Sequence, residues 1–469
     1  MTDSPHVDAF ADDALADHDA VAIADLIRRR EVGAAEVEAA AIARIERVDP
    51  VLHAVAFAAF ERPRRAADPA APLAGVPTLL KDNTDVAGMP SNHGSEAYRG
   101  KPAAHDGQFA AQFLGTGTTV LGKSRMPEFG LNASTEFRTG APTANPWHPE
   151  YSVGASSGGA AALVAAGAVP IAHANDGGGS IRIPAAAAGL IGLKPSRGRH
   201  RDGEVSRPLP INIISEGVLT RSVRDTAAFW AALETQWRNP RLAPIGRVDG
   251  PARRRLRVGL LLETPVDATV DAPTRAAVER TAQLLEAQGH TVSPVPLPVD
   301  ARFATDFVTY WSLLAAAAGG LGKIAYDRSF DARRLDGLTQ GLRRNFRSGW
   351  FRTPGALLRL RAVAGRYARM FDQCDLVLSP VLAHVTPRLG YFDPGLPFDE
   401  LMGRLQRYVA FTPLHNIAGT PAISLPMAVA DAGVPIGVQL SAAYGDERTL
   451  LEVAFALEEQ VRWPSLRTR

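Results

Sequence analysis

Apolar and polar positions alternate along this chain with two periods, one typical of helices and the other of strands. Between residues 20 and 47 apolar side chains recur at helical spacing. The Asp-Pro pair at 49–50 is predicted to end that helix, because the residue before proline is disfavoured in the helical region. Further helices are predicted at 108–114, 160–168, 272–288 and 447–460, and strands at 76–80, 118–121, 171–174, 291–292, 376–378, 422–425 and 436–440. Alternating strands and helices without an internal repeat predict the α/β class.

The composition is that of a soluble globular protein with a large buried core. The chain has 469 residues, of which 46% are hydrophobic and 21% charged. This length accommodates two or three domains or one continuous α/β unit. Residues 236–255 are rich in arginine and proline, which predicts a surface linker. A net charge of only +2 gives no electrostatic support for a nucleic-acid or acidic-membrane partner.

Cysteine usage and the chain's start predict a cytoplasmic protein. The single cysteine, Cys374, excludes an internal disulfide and a cysteine-based zinc site, and its apolar setting predicts a packed thiol. The first residues, Met-Thr-Asp-Ser, lack the basic-then-apolar order of a signal peptide. No apolar run reaches the roughly 20 residues that a membrane span needs. We therefore expect neither a targeting segment nor a membrane partner.

Residues 117–124 match the phosphate-binding pattern G-x-x-x-x-G-K-S. A phosphate loop follows a strand and opens a helix, with its lysine at the helix start. Here a β-branched run occupies the supposed loop, and Pro127 follows closely. This context predicts a strand and a turn, not a nucleotide site.

Residues 154–158 match G-x-S-x-G, the nucleophile elbow of α/β-hydrolases. The elbow must lie between a strand and a helix, and the stretch 145–150 does not predict a strand. The acid and base of such a triad would be Asp375 with His384 or His415, but nothing singles these residues out. His415 is more simply a hydrogen-bonded structural histidine.

A triple-glycine turn at 177–179 ends in Ser180. Three glycines cost backbone entropy and bring no side chain to pack, which makes sense where backbone N–H groups converge on an anion. Ser180 could then attack a carbonyl carbon while those N–H groups receive the developing oxyanion. A lone Gly-Gly-Gly-Ser would be more simply a flexible loop, so the hypothesis depends on partner residues.

Lys81 and Ser156 are the candidate partners of Ser180. Lys81 ends an apolar strand in a chain with only five lysines. Burial lowers the pKa of a lysine and so makes it a base that can activate a serine, whereas arginine stays protonated. Taken separately, Lys81 could be a solvent-facing charge and Ser156 a helix cap. Spacing does not decide between these interpretations, and only the combination favours catalysis.

Several linked motifs, in order, resemble those of the amidase signature family. They cover most of the chain from about residue 20, most weakly between 235 and 370, and lie at 72–77 with 81–83, 122–129, 154–159, 175–184, 192–195, 416–422 and 435–440. Two departures are Ala155, where glycine is usual, and Asn-Asp-Gly at 175–177, where Thr-Asp-Thr is usual. Residues 173–180 look most like the branch of 6-aminohexanoate cyclic dimer hydrolases, which points to small linear or cyclic amides.

The resemblance implies a fold and a set of site residues. The fold is a single α/β/α sandwich around a central mixed β-sheet over residues 1–469, with a catalytic core at about 70–230 and 375–469 and a variable substrate-facing region at about 235–370. The implied roles are Ser180 as acylated nucleophile, Ser156 as bridging serine beside a cis peptide bond, Lys81 as base, the N–H groups of Gly177, Gly178, Gly179 and Ser180 as oxyanion hole, Ser157 as support for the Ser156 hydroxyl, and Asp176 and Arg182 as braces of the turn.

The resulting expectation is an amidohydrolase that forms an acyl-serine intermediate, without a metal or organic cofactor. Its partner is a small-molecule amide and not a nucleic acid, and a homodimer stays open. Two alternatives are a glutaminase-like subunit of a tRNA amidotransferase and a catalytically silent scaffold of the same fold. Residues 235–370 and the loop 126–134 are expected to wall the substrate cleft. Its candidate aromatics, for which core packing is the alternative, are Tyr310, Trp311, Phe346 and Trp350.

Overall fold

A computed structural model describes residues 6–203 and 206–468 of the chain. The first four residues, on which the expectation of no signal peptide rests, lie outside the described residues. The helices are α1 (Ala20–Arg28), α2 (Ala34–Leu52), α3 (Gln108–Leu114), α4 (Gly158–Ala165), α5 (Arg182–Ala188), α6 (Val223–Gln236), α7 (Ala272–Ala287), α8 (Arg302–Gly320), α9 (Gly322–Ala325), α10 (Gly337–Gly349), α11 (Thr353–Ala368), α12 (Phe398–Tyr408), α13 (Pro413–Ala418) and α14 (Glu447–Gln460). The strands are β1 (Val55–Ala58), β2 (Pro77–Lys81), β3 (Thr119–Ser124), β4 (Ala144–Asn145), β5 (His148–Ser152), β6 (Ile171–Asp176), β7 (Ile191–Lys194), β8 (Ser215–Thr220), β9 (Arg257–Leu260), β10 (Thr291–Pro294), β11 (Leu376–Pro380), β12 (Ala422–Val429) and β13 (Pro435–Ala442).

An eight-stranded mixed sheet forms the centre of the molecule, in the order β10-β9-β11-β13-β12-β7-β8-β6. The pairs β10–β9 and β9–β11 are parallel, and the remaining neighbours are antiparallel. The predicted α/β class with a central mixed sheet is confirmed.

Helices cover both faces of this sheet, because side chains alternate along each strand. In β13, Gly437 lies against Ala186 of α5, and Gln439 accepts a hydrogen bond from α5. The intervening Val438 and Leu440 enter the main apolar core, to which α7 and α14 contribute. The predicted α/β/α layering follows from this alternation.

A second sheet, in the order β1-β3-β2, lies beside β6 and brings the end of β2 to the central sheet. Strand β3 pairs in parallel with β2, and all six of its residues are buried. This strand carries most of the G-x-x-x-x-G-K-S sequence, so the prediction of a strand in place of a phosphate loop is confirmed.

The predicted amino-terminal helix is wrong in two respects. It is broken after Arg28 and resumes at Ala34, and it continues through Pro50 to Leu52. Proline disfavours helical geometry in the residue before it without forbidding it. Here the Asp49 carboxylate accepts the N–H groups of the two residues after the left-handed His53, which stabilises the helix end.

The prediction that no strand precedes the G-x-S-x-G sequence is also wrong. Strands β4 and β5 form an antiparallel hairpin there. The hairpin is not part of the central sheet, however, so it does not provide the strand-to-helix turn at the edge of a sheet that a nucleophile elbow requires.

Two smaller predictions can be compared with the described residues. Cys374 is buried, and its thiol donates to the carbonyl of Met370, as expected for a packed thiol. Within 6–203 and 206–468, each helix is too short or too polar to cross a lipid bilayer.

Candidate active site

Lys81 lies at the carboxyl end of β2 and is completely buried. Its Nζ atom is 2.7 Å from Ser156 Oγ, 2.9 Å from Ser157 Oγ and 2.7 Å from Asn175 Oδ1. Burial lowers the pKa of Lys81 to about 7, although the carboxylates of Glu216 and Asp176 act in the opposite direction. The interpretation of Lys81 as a solvent-facing charge is therefore excluded, and its amine can exchange a proton near neutral pH.

Ser156 and Ser157 precede helix α4. Ser157 occupies the N-cap position, yet its side chain makes no capping hydrogen bond. The sequence predicts that Ser157 supports the Ser156 hydroxyl, but its Oγ lies beside Lys81 and exchanges hydrogen bonds with the backbone of Asn175. The Ala155–Ser156 peptide bond is cis, as the resemblance implied. Both hydroxyls therefore accept hydrogen bonds from Lys81, and the Ser157 side chain does not cap the helix.

Asp176 holds the glycine turn from inside. Its carboxylate accepts hydrogen bonds from the N–H of Gly179 at 2.6 Å, from the N–H of Ile181 at 3.2 Å, and from Nε of Arg182 at 2.8 Å. Burial alone would raise the pKa of Asp176, but the guanidinium of Arg182, together with Lys194 and Asn416, holds that pKa well below its usual range. The turn is therefore fixed by a buried ion pair.

Arg182 is itself fixed by residues from the far end of the chain. Its guanidinium donates to Gln439 Oε1 and Asn416 Oδ1, each at 2.7 Å, and lies 3.2 Å from His415 Nδ1. The other nitrogen of His415 is 3.1 Å from the Tyr367 hydroxyl, so the predicted structural role of this histidine is confirmed. These contacts connect the glycine turn to α13 and β13, and the role of Arg182 as a brace of the turn stays a prediction.

The three glycines of the turn are not equivalent. Gly177, Gly178 and Ser180 line a cavity, and within the described part of the chain their N–H groups have no protein acceptor. The Gly179 N–H is already bound to Asp176, and a Cβ atom there would lie 2.4 Å from Thr412 Oγ. The N–H predicted for the oxyanion hole at Gly179 thus points into the protein.

The cavity above this turn has a volume of about 480 Å³. Ser156 and Ser180 both line it, although these two described residues share no hydrogen bond. Gly130 covers Ser156 closely, because a Cβ atom at this left-handed position would lie 2.9 Å from Ser156 Oγ. Because both serines line the same cavity, a molecule bound there can contact both hydroxyls.

The far wall of the cavity is apolar. It is formed largely by helix α8 and the loop near Phe129, with the side chains of Phe129, Phe303, Phe307, Val308, Trp311 and Leu314. Trp311 is thus a pocket aromatic, whereas Tyr310 is buried and donates to the carbonyl of Ile211, and Trp350 is 63% exposed. Among the described lining residues no lysine or arginine occurs, and Asp85 is the one carboxylate.

Two residues of the site carry no clear signal in the sequence. Asn175 is marked only as a departure from the family's threonine, yet it contacts Lys81 and donates to Asn83 Oδ1 at 3.2 Å. Asn416 lies in a motif of the resemblance without an implied role, and its amide donates to Asp176 at 2.8 Å. Their contacts depend on tertiary packing, which a motif does not reveal.

The amidase family model matches residues 36–451 of the chain, which is most of its length. The chain belongs to the amidase family. It is 47% identical to a putative amidase AmiC of Mycobacterium leprae (strain TN), over 97% of this chain and 98% of that protein. It is 35% identical to a 6-aminohexanoate-cyclic-dimer hydrolase of Pseudomonas sp. (strain NK87), over 96% of both chains.

Solved structures of amidases share this fold. A 6-aminohexanoate cyclic dimer hydrolase complexed with substrate superposes with a TM-score of 0.84 at 32% identity, covering 95% of this chain and 97% of that one. A bacterial aryl acylamidase of the amidase signature family superposes with a TM-score of 0.82 at 27% identity, covering 95% and 96%. The present protein is therefore an amide-hydrolysing enzyme with the amidase signature fold.

Proposed function

We propose that this amidase cleaves neutral carboxylic amides to acid and amine through an acyl-serine intermediate. Ser180 is the nucleophile, Ser156 relays protons and Lys81 is the base. The observation that carries the proposal is the completely buried Lys81 amine, 2.7 Å from Ser156 Oγ, because Ser156 lines the same cavity as Ser180. A lysine with a pKa near 7 can accept a proton at physiological pH.

In the first half-reaction, Ser180 Oγ bonds to the amide carbon. Its proton passes to Ser156 Oγ, and the proton of Ser156 passes to Lys81 Nζ. The carbonyl oxygen becomes an oxyanion, which the N–H groups of Gly177, Gly178 and Ser180 are positioned to receive. The Ser180–Ser156 hydrogen bond would form when substrate binds, since catalytic hydrogen bonds often tighten only in the complex.

Collapse of this intermediate breaks the carbon–nitrogen bond. The leaving nitrogen takes the Ser156 proton, which Lys81 replaces, and the free amine departs. Water then attacks the Ser180 ester by the same proton route and releases the acid. Atoms and charges balance without a further co-reactant.

The cavity supports neutral, largely apolar substrates. Its wall carries aromatic and aliphatic side chains from α8, and the described lining has no cation that would bind a substrate carboxylate. Free glutamine carries such a carboxylate, which disfavours the glutaminase-like alternative. The related 6-aminohexanoate-cyclic-dimer hydrolase and aryl acylamidase are consistent with uncharged amides. We extend the proposal to one domain over residues 1–469, with 235–370 as its substrate-facing region.

Active-site labelling tests the chemistry. Purified enzyme is treated with a fluorophosphonate, and the labelled peptide is identified by mass spectrometry. We expect the label on Ser180, no label in Ser180→Ala, and slower labelling in Ser156→Ala. A label on Ser156 in the wild-type enzyme would reverse the assignment, and the absence of any label would favour the silent scaffold.

A matched substrate panel tests the substrate class. Hexanamide, benzamide and a medium-ring lactam are compared with glutamine and adipamic acid, and the products are read by mass. We expect turnover of the neutral amides and at least about tenfold lower kcat/KM for adipamic acid than for hexanamide. Preferred turnover of the carboxylate-bearing amides would contradict the proposed class.

A further inference from the structure

A chain of hydrogen bonds connects the backbone of Lys81 to two residues that are not part of the cavity lining. The backbone N–H of Lys81 donates to Nδ1 of His173 at 3.1 Å. The other ring nitrogen, Nε2, is 3.0 Å from Glu216 Oε2. Both residues come from the central sheet, His173 from β6 and Glu216 from the paired strand β8. The end of β2 is thus connected to a buried carboxylate through one imidazole ring.

These contacts define the tautomer of His173. Because Nδ1 accepts the Lys81 N–H, it carries no proton of its own, and the ring proton lies on Nε2 facing Glu216. The rings of Phe109 and Phe113 pack on the imidazole at 5.2 Å and 5.8 Å. Burial lowers the pKa of His173, so the ring stays neutral and does not cancel the charge of Glu216.

The partner of the buried Glu216 carboxylate is a neutral histidine and not a cation. Burial alone would raise the pKa of Glu216, but the hydrogen bond from His173 and the electrostatic influence of His173, His200 and Lys81 together hold the pKa below its ordinary value. Within 6–203 and 206–468, no lysine or arginine forms an ion pair with Glu216. The backbone N–H of Glu216 donates to Nε2 of His200, which lies in the segment between β7 and β8, at 2.8 Å.

The other charges around Lys81 are matched elsewhere. Asp176, from β6, is paired with Arg182. Lys123, from β3, lies among the carboxylates of Asp82 and Asp85. Of the two carboxylates that act on the Lys81 ammonium, Asp176 and Glu216, only Glu216 lacks a lysine or arginine partner among the described residues.

We propose that Glu216 is a positioning residue for Lys81, which it holds in place through His173 and whose ammonium form it stabilises during the proton relay. This inference rests on the proposed function for the role of Lys81 as base. When Lys81 accepts the relay proton, positive charge appears on a buried atom, and a preorganised carboxylate favours that charge. The contact through His173 fixes the backbone from which the lysine side chain extends.

Glu216→Gln tests this role, because glutamine keeps the shape and removes the charge. Without the carboxylate the Lys81 ammonium is less stable, so the pKa of Lys81 falls. We expect the acidic limb of the Ser180 labelling rate to move to lower pH by about one unit. The plateau rate should fall by roughly tenfold, because Lys81 becomes a weaker base. Glu216→Asp, which keeps the charge, should leave the limb near its wild-type position.

Glu234→Gln is the matched control. Glu234 accepts hydrogen bonds from Arg199 and from the N–H groups of Ile245 and Gly246, and among the described residues it has no hydrogen bond to Lys81, His173 or Glu216. Its loss should leave the acidic limb unchanged even if it lowers stability. An unchanged limb in folded Glu216→Gln, or an equal shift in Glu234→Gln, would overturn the proposal.

A measurement on the wild-type enzyme keeps the proposal testable if Glu216→Gln does not fold. In long-range nitrogen–proton spectra of enzyme labelled with ¹⁵N-histidine and ¹⁵N-lysine, His173 is identified by coupling from the Lys81 amide to its Nδ1. The ring should stay neutral, with its proton on Nε2, from pH 6 to 9. A charged ring, or a proton on Nδ1, would refute the contact. Failure of Ser180 to react would instead refute the proposed function, and the histidine spectrum would be unaffected.

Discussion

The floor and the wall of the cavity are built in different ways. The floor consists of Ser156 and Ser180, which line the cavity, and of the hydrogen-bonded buried side chains beneath them, among them Lys81, Asp176 and Arg182. The wall is helix α8 and its neighbours, whose rings and aliphatic chains make apolar contacts. Hydrogen bonds are directional and fix atoms to a few tenths of an ångström, whereas apolar packing tolerates exchange of similar volumes.

This difference separates the reaction from the choice of substrate. A change in the floor should affect the chemistry with every amide or the folding of the site. A change in the wall should affect large substrates more than small ones. Four predictions test that division, from the largest expected effect to the smallest.

Removal of the base should have the largest effect. Lys81→Met keeps the volume but provides no proton acceptor for Ser156, so kcat/KM should fall by roughly 10³-fold for every amide hydrolysed. Steady-state hydrolysis of a small and a large amide measures this change. A loss confined to the large amide would break the division between floor and wall.

Lys194→Met is the control for Lys81→Met. Lys194 is also completely buried, and burial lowers its pKa to about 7, but its amine donates to the carbonyl of Pro195 and, among the described residues, has no hydrogen bond to Ser156 or Ser157. We expect kcat/KM to change by less than about tenfold in folded protein. A loss equal to that of Lys81→Met would mean that any buried lysine near the sheet supports activity.

Removing the charge of Asp176, which holds the glycine turn, should mainly lower the free energy of unfolding. Asp176→Asn leaves the buried guanidinium of Arg182 without its anion, so the free energy of unfolding should fall by about 3–5 kcal/mol. Urea unfolding followed by circular dichroism measures it. The exposed pair Glu150–Arg388 is the comparison, and Glu150→Gln should lower the free energy of unfolding by only a small part of that loss, because solvent screens the pair. Equal losses would show that burial of the floor is not what stabilises it.

The pH dependence should be a property of the floor alone. Lys81 must be neutral to accept a proton, and burial places its pKa near 7, so kcat/KM should rise with pH through about 7 and level off above it. At pH 6 it should be about one tenth of the plateau. The same limb should appear with small and large amides. A limb whose position depends on the amide would point to a titrating group in the wall.

Truncation in the wall should have the smallest and most selective effect. Trp311→Ala removes apolar surface from the cavity, so KM for a bulky apolar amide should rise about fivefold, equivalent to roughly 1 kcal/mol. The kcat for the smallest amide should stay within about twofold. Trp350→Ala, at an exposed position, should change neither value. A uniform fall in kcat would show that α8 also holds the catalytic residues.

About half of the described helices and strands follow from local sequence, whereas helices α8–α13 are not among the predicted elements. Helix α3 has the predicted bounds, and α14 agrees with its predicted range. Helix α2 continues past its predicted end at Asp49 although Pro50 disfavours helical geometry there. Asp49 and the left-handed His53 stabilise the end at Leu52 instead. The hairpin of β4 and β5 is absent from the predicted elements because its stretch is mostly polar, contains prolines at 146 and 149 and shows no apolar alternation; in β5 only the last residue is buried.

The amino-acid sequence by itself determined that a glycine turn ends in Ser180, that Lys81 ends a buried strand, and that the chain has the motifs of an amidase. Only the tertiary structure decided that the Gly179 N–H faces Asp176, that Ser157 contacts Lys81, and that Glu216 lies behind the base. The reason is the separation along the sequence over which each kind of interaction acts. Backbone conformation depends on neighbouring residues, whereas hydrogen bonds such as Arg182–Gln439, 257 positions apart in the sequence, exist only once the sheet has assembled.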